Sequence, residues 1–110
     1  MATSDRVLIA GAGPVGLVAA ANLVRHGVPV TIFEGGPDLS MESRASTFHP
    51  PTLDMLSDLD VVNPLIAQGL IATKFQYRNR RDGLIAQFDF GDIADATRHP
   101  FRLQCEQSKL

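Results

Sequence analysis

Val7-Leu8-Ile9-Ala10-Gly11-Ala12-Gly13-Pro14-Val15-Gly16, with Glu34 eighteen residues beyond the last glycine, is the stretch on which the fold turns. An apolar run ends in Gly-x-Gly-x-x-Gly, a helix rich in small residues follows, and a second apolar run ends in an acid. Each part has a physical task in gripping a dinucleotide. Gly11 permits a tight turn out of the strand. Gly13 carries no side chain, so backbone N–H groups can approach a pyrophosphate. Gly16 lets the helix lie close on the sheet. Gly11, Ala12, Gly13, Pro14, Val15 and Gly16 thus form a turn and a helix start whose free N–H groups and partial positive charge suit an anion. Glu34 is placed to accept hydrogen bonds from ribose hydroxyls. Its charge also repels a 2′-phosphate, so the adenosine expected is that of FAD or NAD rather than NADP.

The surroundings agree with the motif. Asp5 and Arg6 precede a strand over Val7 to Ala10. The helix is expected over roughly Pro14 to His26, with Ala19, Ala20 and Ala21 where close packing needs small side chains. Arg25 and His26 suit its negative end, and Gly27 suits a left-handed cap. Val30-Thr31-Ile32-Phe33 is a β-branched and aromatic strand that delivers Glu34 at its carboxyl end. A competing pattern is a secretory signal, because Arg6 precedes a mostly apolar stretch to Val24. Three glycines at this spacing have no place in a signal, and Asp5 weakens its positive start. Asn22, Pro14 and the glycines also make a poor membrane span.

The 110 residues are 45% hydrophobic and 20% charged, which supports one small domain with a core. A net charge of −2 gives no electrostatic case for nucleic acid or an anionic membrane. The single cysteine, Cys105, forms no internal disulfide and fits a reducing, cytoplasmic setting. Two strands of the first type are fewer than a doubly wound sheet needs. The fold is therefore expected to be incomplete and the chain to be the front of a larger protein.

Residues 35 to 47 are polar and turn-rich and read as a loop at the carboxyl end of the second strand, where ligands bind. Arg44 in this loop is either a solvated surface cation or a guanidinium held against cofactor phosphates. Pro50 to Leu59 reads as a short helix with Leu53, Leu56 and Leu59 on one face and Met55 beside it, all taken as core. A second helical stretch, about Val61 to Gln68, is capped by Gly69. Ile71, Thr73, Phe75 and Tyr77 then alternate with polar or small residues. After Asn79 to Gly83, Ala86, Phe88 and Phe90 alternate again, so Asp82-Gly83 marks a hairpin. Arg78, Arg80 and Arg81 at its tip are either a phosphate patch or, as charge runs usually are, solvated. Phe101 to Gln104 is a further short strand, and Glu106 to Leu110 begins a helix.

Groups for independent chemistry are scarce. His26, His49 and His99 show no metal spacing. Cys105 lacks a motif that would make it a nucleophile. Asp54 and Asp58, four apart on a helix, read as a wet face rather than a carboxylate pair, and no Ser-His-Asp arrangement is visible. No catalytic or metal-binding residue is assigned.

Taken together, these residues resemble the N-terminal part of the single-component FAD-dependent aromatic hydroxylases, the p-hydroxybenzoate, phenol and 3-(3-hydroxyphenyl)propionate hydroxylase-like family. The family opens with the same glycine fingerprint and acid, here Gly11, Gly13, Gly16 and Glu34. It has an Arg-Ala pair before a Leu-rich helix, here Arg44-Ala45 ahead of Thr52 to Leu56, and a glutamine opening a later helix, here Gln107. The resemblance implies that Glu34 binds the adenosine ribose, that Arg44 lies along the cofactor phosphates, and that Gln107 contacts FAD. It implies an α/β fold: a Rossmann-like βαβ FAD-binding unit, then helices, then the first β-hairpin of a substrate-domain sheet. Residues 1–70 would belong to the FAD-binding domain, 71–104 to the substrate-domain sheet, and 105–110 to a helix returning to the FAD domain. The complete protein would use NAD(P)H and O₂ to hydroxylate a small phenolic ring, and the 110 residues alone would be inactive. Other FAD-dependent oxidoreductases, and a noncatalytic dinucleotide-binding module, are the alternatives. One departure stands out: Asp60 occupies a position where the family often has glycine.

Overall fold

The computed structural model describes residues 5–42 and 44–110. Ser43, in the polar loop, lies outside the described residues. The chain divides into two compact units, Met1–Ser43 and Arg44–Leu110.

The first unit holds β1 (Val7–Ala10), α1 (Pro14–Arg25) and β2 (Val30–Phe33). The two strands are parallel neighbours, with Val7 beside Val30 and Ala10 beside Phe33. This is the expected Rossmann-like βαβ topology. The ladder runs past both ends: Val7 N–H donates to the Pro29 carbonyl at 2.9 Å, and Gly11 N–H to that of Phe33 at 2.7 Å. Helix α1 starts at Pro14, whose missing N–H costs nothing there. It ends in a Schellman motif. Gly27 N–H donates to Val24 and Val28 N–H to Leu23, both at 2.9 Å, with Gly27 at φ 76. Of the three alanines expected against the sheet, only Ala20 is buried, while Ala19 and Ala21 are exposed. Successive helical residues point about 100° apart, so one in three can face a flat sheet. One helix also covers only one face of two strands, and Leu8 stays 65% exposed.

The second unit holds β3 (Thr47–Phe48), α2 (Pro50–Ser57), α3 (Val62–Ile66), β4 (Leu70–Ala72), β5 (Lys74–Asn79), β6 (Gly83–Asp89) and β7 (Arg102–Gln104). Single 3₁₀ turns follow β6, at Phe90–Ile93, and β7, at Gln107–Lys109. Strand β7 lies between β3 and β4, antiparallel to both. The core of this unit comes from its helices and this sheet: Leu53, Leu56, Leu65 and Leu103 are fully buried, and Phe48, Val62 and Cys105 are buried as well.

Several expectations change here. Ile71 to Tyr77 is not one strand, because the chain breaks at Thr73. Strand β4 joins β7, whereas β5 pairs with β6 as the hairpin. The β3 strand begins at Thr47, the last residue of the stretch read as loop, and was not expected, since two residues carry no periodicity. Met55 is 45% exposed and Leu59 only half-buried, so the apolar stripe of α2 narrows to Leu53 and Leu56. Gly69 serves mainly as a point of close approach. A Cβ there would come within 2.7 Å of Leu103 Cδ1 and 2.8 Å of the Gln104 carbonyl oxygen. The last segment makes a 3₁₀ turn within the described length. Asp60 sits at φ 60, the left-handed region, and is the one non-glycine there among the described residues.

Candidate functional site

The glycine turn is built by the end of β1, the start of α1 and the end of β2. Gly11 leaves β1 at φ 103, a conformation that a side chain would strain. Gly13 is the N-cap residue of α1, and no side chain caps that helix. Its first N–H groups therefore face outward without an intrahelical partner. An ideal Cβ on Gly13 would meet nothing within 4 Å, so open space lies over the turn. Gly16 is the reverse case. A Cβ there would overlap the Gly11 carbonyl oxygen and approach Ile9 Cγ2 to 3.3 Å. Helix and strand lie this close because position 16 has no side chain.

Glu34 completes the turn. The extra ladder bond from Gly11 to Phe33 brings Ala12 beside it. Ala12 N–H donates to Glu34 Oε2 at 2.7 Å, and Gly36 N–H donates to Oε1 at 2.8 Å. The Ala12 bond first, then the Gly36 bond, holds the carboxyl below the ordinary glutamate range. The turn thus presents uncapped helix N–H donors on one side and one ionised acceptor on the other.

The second unit gathers the other two expected cofactor residues. Cys105 N–H donates to the Ser46 carbonyl at 2.9 Å, and Gln107 N–H donates to the Ala45 carbonyl at 3.2 Å. These bonds extend the β3–β7 ladder, so Gln107 lies beside the Arg44-Ala45 pair, from which 61 residues separate it. Arg44 is exposed and Gln107 half-buried.

One cluster escaped the sequence. Asp54 and His99 were set aside, yet Asp54 Oδ1 lies 2.6 Å from His99 Nδ1, and Oδ2 accepts from Thr97 Oγ1 at 2.6 Å. Their side chains are 28% and 12% exposed. Thr97, then His99, holds the Asp54 carboxyl below the usual aspartate range. Ser57 Oγ lies 3.5 Å from His99 Nε2, so a Ser-His-Asp row does exist. It is not built for attack, because Ser57 Oγ donates its proton to the Leu53 carbonyl at 3.2 Å. The row is a clasp between α2 and the segment entering β7. More than forty residues separate its halves, so no spacing rule could have found it. Among the described residues no three His, Cys, Asp or Glu side chains gather as a metal site, and no helix is long and apolar enough to cross a membrane.

Known proteins share this architecture. The chain is 32% identical to para-nitrophenol 4-monooxygenase of Pseudomonas sp. strain WBC-3, over 100% of this chain and 27% of that protein. It is also 32% identical to 6-hydroxy-3-succinoylpyridine 3-monooxygenase of Pseudomonas putida, over 100% of this chain and 28% of that protein. The crystal structure of p-nitrophenol 4-monooxygenase PnpA from Pseudomonas putida DLL-E4 superposes with a TM-score of 0.83 at 29% identity, covering 94% of this chain and 27% of that one. The chain thus spans little more than a quarter of the length of these relatives. The model of the FAD binding domain family matches residues 4–110, and this chain belongs to that family.

Proposed function

We propose that this chain is the cofactor-gripping part of an FAD-dependent monooxygenase that hydroxylates a phenolic ring with NAD(P)H and O₂. The observation that carries the reading is the pairing of Ala12 N–H with the Glu34 carboxylate beside an uncapped helix start. The residues fit FAD. The open space over Gly13 admits a pyrophosphate, and the N–H groups of Val15 and Gly16 and the dipole of α1 favour its charge. A carboxylate has about four acceptor positions. Ala12 and Gly36 take two of those on Glu34, which leaves acceptors for the ribose hydroxyls. Arg44 supports the phosphates by charge, and Gln107, carried to Ala45 by β7, offers its amide to the cofactor. We assign residues 1–70 to the FAD-binding part, 71–104 to the start of the substrate sheet, and 105–110 to the return toward the FAD part.

FAD, when bound, supplies the electron transfer and the reaction with O₂. The part played by these residues is to bind and orient it, and none is assigned a proton transfer. The activity is that of the whole protein, since the same segment makes up 27% of the p-nitrophenol relative. A phenol is the substrate class favoured by that relative and by pentachlorophenol 4-monooxygenase of Sphingobium chlorophenolicum, which is 30% identical over 95 residues. We place the protein in the cytoplasm, where NAD(P)H is supplied and thiols such as Cys105 stay reduced.

The test is purification of the whole protein, a flavin absorbance spectrum, and NAD(P)H oxidation with and without phenols. A yellow protein whose phenol-stimulated oxidation yields a hydroxylated ring is expected. A colourless protein, or one that forms no hydroxylated product from any phenol, overturns the proposal.

A further inference from the structure

Arg102 lies in β7 opposite Ala72, and its guanidinium carbon is 5.4 Å from the Phe75 ring centroid and 6.0 Å from that of Phe90. Its Nε is buried without a hydrogen-bond partner, the one such side-chain atom among the described residues. No carboxylate among the described residues pairs with Arg102. Removing part of a guanidinium from water without an acceptor is unfavourable, and ring faces offset only part of that. An anion placed there would supply both an acceptor and a counter-charge.

The surface beside this cation is aromatic. Phe75 stands opposite Phe88, and Tyr77 opposite Ala86, across β5 and β6. Alternate residues share a face, so Phe75, Tyr77 and Phe88 form one patch. Their ring centroids lie 5.0 to 6.3 Å apart, and Tyr77 and Phe88 are 58% and 52% exposed. The patch therefore offers ring faces next to a cation that lacks a counter-charge. A flat ring bearing an anionic oxygen matches both at once, and the planar guanidinium fork suits such an oxygen.

We propose that Arg102, with the ring face of Phe75, Tyr77 and Phe88, binds an anionic aromatic molecule, a phenolate or benzoate, with its charged oxygen at the guanidinium. The inference rests on the functional reading above. It deepens that reading by stating the charge of the aromatic substrate and the residue that selects it.

The full chain has one tyrosine and no tryptophan, so Tyr77 gives a single set of tyrosine ring signals in NMR. These signals are followed while the chain is titrated with 4-nitrophenolate or with nitrobenzene, its uncharged match. A saturable shift is expected, with 4-nitrophenolate binding at least about tenfold more tightly than nitrobenzene. Arg102→Met keeps the stem packed on the rings and should abolish that preference, whereas Arg102→Lys keeps the charge and part of the preference. No saturable shift overturns the anchor. So does equal binding of the two probes, or a preference that survives in Arg102→Met. If acetate alone moves the Tyr77 signals as 4-nitrophenolate does, an acidic side chain is the occupant and the aromatic assignment fails. ADP binding, followed at the Ala12 and Gly13 amides of the same sample, tests the dinucleotide reading separately. ADP binding without phenolate binding removes the anchor alone.

Discussion

A methyl group at position 16 has no room. An ideal Cβ there overlaps the Gly11 carbonyl oxygen and comes within 3.3 Å of Ile9 Cγ2. Both neighbours are held by the β1–β2 ladder, so in Gly16→Ala it is α1 that must move, by about 1 Å in a region packed as tightly as a crystal. Two effects oppose each other. Alanine gains about 1 kcal/mol over glycine in helix propensity. Overpacking costs about 1–3 kcal/mol, and a backbone obstacle belongs at the upper end. The expected net result is a loss of about 1–2 kcal/mol. Urea unfolding followed by circular dichroism reads this as a lower midpoint at an unchanged slope. Gly13→Ala is the internal control. Its Cβ meets nothing within 4 Å and its φ of −74 suits alanine, so stability should change by less than about 1 kcal/mol. Its effect should instead be on ADP or FAD affinity, because the methyl enters the space assigned to the pyrophosphate. A Gly16→Ala protein as stable as its parent would falsify the close-approach account. Undiminished ADP affinity in Gly13→Ala would show that the pyrophosphate does not cross that residue.

Three further outcomes follow from the hydrogen bonds and the backbone. The Glu34 carboxyl is held low by Ala12 and Gly36, so its stabilising contribution is present above the unfolded pKa and disappears as pH falls through the lower folded one. A carbon-13 titration of Glu34 should have its midpoint below 4.5, and a midpoint at or above that value contradicts the two N–H bonds. Asp54 follows the same sign through Thr97 and His99. Thr97→Val should raise its titration midpoint and destabilise the second unit by about 1 kcal/mol, while an unmoved midpoint would mean the hydroxyl bond does not form in solution. Asp60→Gly relieves a left-handed residue at φ 60 and should raise the melting temperature, with a gain of about 0.5–1 kcal/mol, whereas a lower melting temperature would show that the Asp60 side chain outweighs its backbone strain.

What could be read from the sequence was local. Strand, glycine turn, helix, Schellman glycine and acid all lie within Val7 to Glu34, and each leaves a residue-type signature at short range. The β1–α1–β2 unit was therefore legible almost to its ends. So was the hairpin, because Asp82-Gly83 sits between two alternating runs. The break at Thr73 was not legible, since β4 and β5 have the same alternation and differ only in the strand each pairs with. Nor was the two-residue β3, which exists because β7 is there to pair with it. Asp54 was misread because an acid on a helix surface looks the same whether it faces water or the distant Thr97 and His99.

The clasp and the β3–β7 ladder act on the same piece of chain. Residues 44 to 57 run from the Arg44-Ala45 pair through β3 into α2. Residues 97 to 107 run from the clasp through β7 to Gln107. The two segments are tied at one end by Asp54 with Thr97 and His99, in the middle by Thr47 opposite Gln104 and Phe48 opposite Leu103, and at the other end by Gln107 N–H on the Ala45 carbonyl. A two-residue pairing alone specifies register weakly, and a slip of one residue would turn Leu103 out of the core and carry Gln107 away from Ala45. Two things oppose that slip: the full burial of Leu103, and the clasp that holds the segment before it enters β7. The place of Gln107 beside Arg44-Ala45 is thus set in part by Asp54, a residue with no assigned contact to any cofactor.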